Sequence, residues 1–247
     1  MEQKTIPFVG YSLFAGALGE FTPKSKTFIN TINLHSFVVA ESDVEFKESL
    51  LNSDVLLPDG IGAVLGPRFL TGHKVKKTAG ANLHHYFLEN FKSKGGKFFY
   101  LGSAESTLNK IEEKLRANYP GIHVASYSPP YKATFTDEDN QNMIEAVNNF
   151  KPDVLFVGMT APKQEKWAHQ HKDELDAGFI CPVGAVFDFY AGNTPRPSDF
   201  WVNLGLEWFI RLLNEPKRMW RRYLYNGPVF AFMMIKQKFK TKAANIK

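Results

Sequence analysis

Short apolar runs alternate along this chain with longer stretches in which apolar residues recur at helical spacing. The short runs are rich in β-branched or aromatic residues, as strands are, and they fall at residues 27–33, 54–57, 96–101, 122–125, 154–157 and 178–183. The run at 154–157 is apolar without interruption, which is typical of a parallel strand covered on both faces. The pattern predicts a Rossmann-like α/β fold, a mainly parallel sheet with helices on both faces.

Helical periodicity fills the segments between these strands. It predicts helices at about residues 36–51, 62–70, 82–94, 105–117 and 136–150, and another that begins near Pro162. Residues 1–24 contain closely spaced glycines and are expected to be irregular. Beyond residue 196 the pattern is helical only, with helices expected at 201–213 and 216–225. We therefore divide the chain into an α/β core domain, residues 1–196, and a C-terminal helical appendage, residues 197–247.

Composition fits a soluble globular protein, with 44% hydrophobic and 22% charged residues in 247. The single cysteine, Cys181, lies in an apolar run and is expected to be a buried, inert thiol. Residues 1–4 lack the pattern of a secretory signal. The longest apolar run of the appendage, 228–235, is shorter than the roughly 20 residues that a spanning helix needs.

The net charge of +5 is concentrated in the appendage. From Arg211 onward the chain has ten basic residues and one acid, Glu215. Arg211, Arg218 and Arg222 are spaced close to whole helical turns, with Arg221 adjacent. Guanidinium groups bind phosphates bidentately, so a diphosphate or an anionic lipid surface is the expected partner. Aromatic residues between the charges fit an interfacial segment, while nucleic acid is the competing interpretation of the same pattern.

Polar residues follow the first two predicted strands. Asp59 comes directly after the strand at 54–57, where a carboxylate can act as a general base on a hydroxyl nucleophile; the alternative is an ordinary Asp-Gly turn or a helix cap. Thr31 and Asn33 alternate at the end of the strand at 27–33 and so share one face. They either point into a cleft or satisfy backbone groups at the strand end.

Two loops are further candidates. The loop from Met159 to Pro162 follows the strand at 154–157 and leads into Lys163, Gln164 and Glu165. Ligands of open α/β sheets bind outside the carboxyl ends of strands, so this loop is either a site wall or an ordinary turn. The basic segment 74–77 precedes Gly80 and suits either a phosphate or a solvated surface. The sequence contains neither a metal-ligand cluster nor a glycine-rich phosphate fingerprint.

Taken together, these segments resemble the WecG/TagA/CpsF glycosyltransferases. The most specific matches are Pro162-Lys163-Gln164-Glu165 and Gly205-Leu206-Glu207-Trp208. Others, in chain order, fall at residues 31–33, 57–62, 80–83, 99–102, 119–121, 152–158, 184–188, 191–192, 211, 215–218 and 221–223. The resemblance covers about residues 27 to 225.

The resemblance implies a metal-independent, inverting transferase that needs no cofactor. It would move a sugar, an N-acetylhexosamine such as N-acetylmannosamine or a hexose, from a UDP-sugar to a polyprenyl-diphosphate-linked saccharide in cell-surface polysaccharide synthesis. It would be cytoplasmic and peripheral, with the appendage completing the active site and contacting the anionic inner face of the plasma membrane. Nucleic acid is not an implied partner, and self-association stays open. The alternative function is a non-enzymatic nucleotide- or nucleic-acid-binding module with a basic tail.

Residue by residue, the resemblance places the catalytic base at Asp59. The substrate-binding residues that it implies are Thr31, Asn33, Lys77, Asn82, Gln164, Arg211, Arg218 and Arg221. The chain departs from the family's Arg-x-x-Gly-x-Asp pattern, because it has Lys77 and Asn82 at the charged positions. Lysine keeps the positive charge but loses the bidentate fork, and Asn82 lacks a carboxylate. Sugar specificity is the property that these departures would change.

Overall fold

A computed structural model of the chain describes residues 3–195, 197, 200–201 and 205–244, with only the backbone for 241–244. Its main sheet has six parallel strands in the order β4-β3-β8-β7-β5-β6. The strands are β3 (Thr27–Ile32), β4 (Val55–Pro58), β5 (Gly96–Gly102), β6 (Ile122–Tyr127), β7 (Val154–Gly158) and β8 (Phe179–Pro182). Helices cover both faces, so the predicted α/β fold is confirmed.

Eight helices lie between residues 34 and 191. They are α1 (Leu34–Ala40), α2 (Val44–Leu51), α3 (Gly60–Thr71), α4 (Gly80–Phe91), α5 (Glu105–Asn118), α6 (Asp137–Phe150), α7 (Lys163–His171) and α8 (Ala185–Ala191). The predicted helix at 36–51 is wrong as a single element. The segment divides at Asp43, which is the N-cap of α2. The Asp43 side chain accepts a hydrogen bond from the Phe46 N–H, so a new helix begins there.

Successive residues of a central strand bury their side chains on opposite faces of the sheet. On β7, Val154 and Phe156 pack in one apolar layer, whereas Leu155 and Val157 pack in the other. Every residue of this strand is buried, which explains the unbroken apolar run in the sequence. Because the strands are parallel, their carboxyl ends lie along the same edge of the sheet. The loops of the candidate site begin at this edge.

The expectation that residues 1–24 are irregular is wrong. β1 (Thr5–Phe8) and β2 (Tyr11–Phe14) form an antiparallel hairpin. Val9 and Gly10 at its turn have φ of 47° and 85°, the left-handed values that a two-residue hairpin turn requires. Phe8 and Tyr11 are buried beside Phe37. The hairpin extends the core beyond the sheet edge.

The appendage continues as helices, in agreement with the prediction. Its described elements are α9 (Glu207–Asn214), α10 (Pro216–Trp220), a π-helical turn (Arg221–Tyr225) and α11 (Asn226–Ala244). The sequence prediction missed the long helix α11, and part of the helix expected at 201–213, together with residue 196 at the proposed boundary, lies outside the described residues. Phe230 and Met234 of α11 are buried with Phe8 and Phe37. Helix α11 is thus anchored in the core.

No helix of the described part of the chain is long and apolar enough to cross a membrane.

Candidate active site

The candidate site lies at the carboxyl ends of β3 and β4. Backbone hydrogen bonds connect its loops: the Asp59 N–H donates to the Ile32 carbonyl at 2.8 Å, and the Thr78 N–H donates to the Pro58 carbonyl at 2.8 Å. The second bond places Lys77, next to Thr78, beside the β4 end. Gly60 has a φ of 75° and lies against Asn33. The fold thus brings together Asp59, Lys77 and the Thr31–Asn33 pair, which are far apart along the chain.

Asp59 precedes helix α3 at the N-cap position, and its side chain makes no capping hydrogen bond to the described residues. Burial raises the pKa of Asp59 above its usual 3.8, and Glu207 raises it further. Lys77, Arg211 and Arg222 act in the opposite direction. A carboxylate held at a strand end and not committed to a cap is available to accept a proton.

Lys77 connects the core to the appendage. Its Nζ atom lies 2.5 Å from Glu207 Oε2, and the two side chains are 25% and 18% exposed. Glu207 belongs to the first turn of α9, where a carboxylate also interacts favourably with the helix dipole. The pair therefore fixes the start of α9 close to Asp59.

Arg211 of α9 carries an incompletely paired guanidinium. Its Cζ atom lies 5.3 Å from the centre of the Phe189 ring, a cation–π distance. Its Nε and Nη2 atoms are buried and have no hydrogen-bond partner among the described residues. Buried polar groups are normally paired, so these two donors are available to a ligand.

The other arginines of the appendage differ in exposure. Arg218 and Arg221 are exposed, and Arg218 pairs with Glu215 at 2.8 Å. Arg222 is partly buried instead and lines a pocket with Thr31 and Asn33. The π-helical turn at Arg221–Tyr225 holds one residue more per turn than an α-helix. Helical spacing grouped Arg211, Arg218 and Arg222, and two of these, Arg211 and Arg222, lower the pKa of Asp59. Arg221, which the resemblance selects instead of Arg222, is exposed.

Two of the predicted binding residues, Asn33 and Asn82, have side chains that hydrogen-bond to the backbone at the start of a helix. Asn33 Oδ1 accepts from the backbone N–H groups of His35 and Ser36, each at 3.0 Å. Asn82 Oδ1 accepts from the Ala79 N–H at 3.1 Å, where it caps α4. An asparagine can thus replace an aspartate at position 82 and still cap the helix.

Gln164 is buried and is hydrogen-bonded at both ends of its amide. Its Nε2 donates to Glu165 Oε1 at 2.8 Å, and its Oε1 accepts from the Gly184 N–H at 3.1 Å. Gln164 therefore connects the loop after β8 to helix α7 through hydrogen bonds. The predicted contact between Gln164 and the donor sugar stays a prediction. Its neighbour Glu165 lines the pocket with Arg222.

Glu165, Glu207 and His35 were not among the predicted site residues. Burial raises the pKa of Glu165 from 4.5 to about 7. Burial, with Arg222 and then Arg221, lowers the pKa of His35 from 6.5 to about 4. Glu165 and Glu207 lie in the two segments that match the family most specifically, 162–165 and 205–208. A charged residue inside such a segment was the sequence signal that could have identified them as site residues.

Among the described residues, no three His, Cys, Asp or Glu side chains cluster as they would around a metal ion.

Comparison with known families supports the resemblance seen in the sequence. The family model for the "Glycosyl transferase WecG/TagA/CpsF family" matches residues 11–244. The chain belongs to this glycosyltransferase family. Membership favours an enzyme over the alternative of a non-enzymatic binding module.

Several curated relatives in this family share one name, N-acetylglucosaminyldiphosphoundecaprenol N-acetyl-beta-D-mannosaminyltransferase. The protein from Bacillus subtilis (strain 168) is 28% identical over 214 residues, 87% of this chain and 81% of the relative. That from Bacillus spizizenii is 29% identical over 197 residues, 80% of this chain and 74% of the relative. The Staphylococcus aureus (strain MW2) protein is 27% identical over 217 residues, 88% of this chain and 83% of the relative.

Proposed function

We propose that this glycosyltransferase moves N-acetylmannosamine from its UDP-linked form to N-acetylglucosamine carried on a polyprenyl diphosphate. The sugar and the acceptor are those in the names of the relatives from Bacillus and Staphylococcus. The observation that carries the proposal is the buried, incompletely paired guanidinium of Arg211, which is close enough to Asp59 to lower its pKa. A base next to an anion-binding donor is what transfer from a sugar diphosphate requires.

The proposed reaction is a single displacement with inversion. Asp59 accepts the proton of the acceptor hydroxyl as its oxygen attacks the anomeric carbon of the donor sugar. The bond from that carbon to the diphosphate oxygen breaks, and UDP leaves with the bonding electron pair. The raised pKa of Asp59 makes it a stronger base than an ordinary aspartate.

Charge on the leaving diphosphate would be balanced by side chains. Arg211 offers Nε and Nη2, two donors in the fork geometry that suits phosphate oxygens, and Lys77 adds a charge beside Glu207. The exposed Arg218 and Arg221 are available for the lipid diphosphate. We propose on this basis that the transfer needs no metal ion.

The appendage would also contact the membrane that carries the acceptor. The outward side chains of α11 include Phe232, Ile235 and Phe239, which are 67%, 48% and 68% exposed. Trp220 at the end of α10 and Leu224 on the π-helical turn are also exposed. Large apolar side chains among lysines and arginines are typical of helices that lie on an anionic bilayer.

A transfer assay tests the proposal directly. Purified protein is incubated with UDP-N-acetylmannosamine and a polyprenyl-diphosphate-linked N-acetylglucosamine, with and without EDTA, and the lipid product is measured. We expect a disaccharide with inverted anomeric configuration and an unchanged rate in EDTA. A rate abolished by EDTA and restored by a divalent cation would contradict metal independence. Absence of product from this donor, with product from another UDP-sugar, would contradict the donor assignment.

A further inference from the structure

A small pocket beside the candidate active site has a mixed polar and apolar lining. Its volume is about 30 Å³, far below the roughly 300–1,000 Å³ of a cleft that holds a whole ligand. Its polar walls come from the β3 end, helix α1, Glu165 of α7 and Arg222. Its apolar walls are Val39, Phe46, Ala161 and Pro162. Such a space is too small for a sugar ring or a nucleotide and suits a substituent of a few atoms.

Three polar side chains around the pocket, those of Asn33, His35 and Ser36, are already hydrogen-bonded within the protein. Asn33 Oδ1 caps helix α1, and the Ser36 hydroxyl accepts from the Asn33 N–H at 2.7 Å. His35 Nδ1 is hydrogen-bonded to the side-chain amide nitrogen of Asn226, so it accepts there. Glu165 is different, because its Oε2 is buried without a partner among the described residues while its Oε1 is bound to Gln164. Glu165 is 5% exposed.

The unused carboxylate oxygen therefore indicates a polar atom of a ligand. Leaving a buried polar group unpaired is unfavourable, and a ligand that supplies the missing partner removes that penalty. A carboxyl group accepts from an N–H when ionised and donates to a carbonyl when protonated. Burial raises the pKa of Glu165 to about 7, so both forms are present near neutral pH.

The pocket shares residues with the proposed reaction centre. Asn33 lines it and also lies against Gly60, which follows Asp59. Arg222 lines it and is close enough to Asp59 to lower the pKa of that carboxyl group. A substituent in the pocket would thus belong to the sugar that reacts beside Asp59.

We propose that this pocket receives the acetamido group of an N-acetylated donor sugar and makes the enzyme selective for it. The acetamido group offers an N–H and a carbonyl to Glu165 and Arg222, and a methyl group to the apolar walls formed by Val39, Phe46 and Ala161. A plain hexose has only a hydroxyl at that position and leaves the apolar walls uncovered. The inference rests on the proposed function, to which it adds the residues that select the donor.

A pocket-filling variant tests the apolar part of the site. Donor selectivity is the ratio of kcat/KM for UDP-N-acetylmannosamine to that for UDP-mannose, measured with the same lipid-linked acceptor. Val39→Phe should lower this ratio by about tenfold or more, as expected when space for a methyl group is lost. The matched control is Val44→Phe, because Val44 is 72% exposed on the neighbouring helix α2. It should keep the wild-type ratio.

Two substitutions at Glu165 test the polar part. Glu165→Leu removes the hydrogen-bonding group at similar size and should lower the same ratio by about tenfold or more, the effect expected when an amide partner is lost. Glu165→Gln keeps a hydrogen-bonding side chain and should restore most of the selectivity. A purely structural role for Glu165 would change both donors equally and leave the ratio unaltered.

The outcomes separate the inference from the function on which it rests. If wild-type protein transfers sugar but Val39→Phe and Glu165→Leu both keep its selectivity within twofold, the pocket assignment is wrong and the proposed function stands. If wild-type protein transfers from no N-acetylated donor, the proposed function fails. The pocket assignment is then tested by calorimetry, which measures the affinities of UDP-N-acetylmannosamine and UDP-mannose for wild type and for both variants. If each nucleotide sugar binds the variants as tightly as it binds wild type, the pocket assignment is wrong.

Discussion

Asp59 has the placement and the environment that a general base needs. It follows a buried strand, makes no capping hydrogen bond to the described residues, and has a pKa raised by burial.

Asp59→Asn should therefore reduce kcat at least about a hundredfold, the low end of general-base effects. The measurement is the transfer assay, with circular dichroism to check folding. Asp137→Asn, at an exposed position in the first turn of α6, is the control. Near-normal turnover in a folded Asp59→Asn protein would remove Asp59 from the mechanism.

Glu165 makes a separate prediction about stability. Burial raises the pKa of Glu165 from 4.5 to about 7. Across that pH window the folded protein retains a proton that the unfolded chain has released, so rising pH destabilises the fold through this group. At about 1.4 kcal/mol per pH unit the effect reaches at most about 3 kcal/mol. Glu165→Gln removes it.

The expected result is a difference in unfolding free energy, variant minus wild type, that grows between pH 4.5 and 7. It is measured by urea denaturation at several pH values. His35, whose pKa is lowered to about 4, acts with the opposite sign in the overlapping range. It is common to both proteins and cancels in the difference. A flat difference would mean that Glu165 ionises normally in the folded state, and a difference that falls with pH would mean that its pKa is lowered there.

At the scale of elements, helix α9 contributes charges that act on the pKa of Asp59 in addition to burial. Glu207 in its first turn raises the pKa of Asp59, and Lys77, its ion-pair partner, lowers it. Glu207→Gln removes the raising charge and should move the acidic limb of the pH profile of kcat/KM to lower pH. Lys77→Met should move the same limb to higher pH. Shifts in the same direction, or none, would show that Asp59 is not the titrating group.

A strand is easy to predict from the sequence when all of its residues are buried. Strand β7 is buried on both faces and reads as one apolar run. Helix α11 is harder to predict, because Phe230 and Met234 face the core while Phe232 and Ile235 face outward, which removes the amphipathic pattern. The hairpin β1–β2 is short, and its glycine-rich surroundings concealed it.

The candidate site could be assembled from sequence only in part. Asp59 was identifiable because a carboxylate follows an apolar strand, and the parallel sheet brings it next to Asn33. Helical spacing grouped Arg222 with Arg211 and Arg218 but did not predict that Arg222 is partly buried while Arg218 is exposed, because the π-helical turn changes the helical phase after Trp220. Glu165 Oε2 is buried without a partner because distant segments of the chain pack around it. A local sequence pattern does not predict such packing.

At the scale of the whole molecule, the appendage has a structural and a proposed membrane-binding side. The inner side of α11 buries Phe230 in the aromatic cluster with Phe8 and Phe37. Removing the appendage would uncover that cluster, so a truncation mixes folding with membrane contact. Substitutions on the outer side separate the two. They leave the inner contacts, and hence the core, in place.

The outer side of α11 therefore gives the sharpest test of membrane contact. Replacing Phe232, Ile235 and Phe239 by serine should weaken binding to phosphatidylglycerol vesicles at least about a hundredfold, since each buried apolar side chain contributes about 1.5 kcal/mol or more. Serine at Val44 and Leu51, which are exposed on α2, is the control and should leave binding unchanged. Thermal unfolding, and turnover of a water-soluble short-chain acceptor, should match wild type in the triple variant. Wild-type vesicle binding by that variant would show that α11 does not hold the enzyme on the membrane.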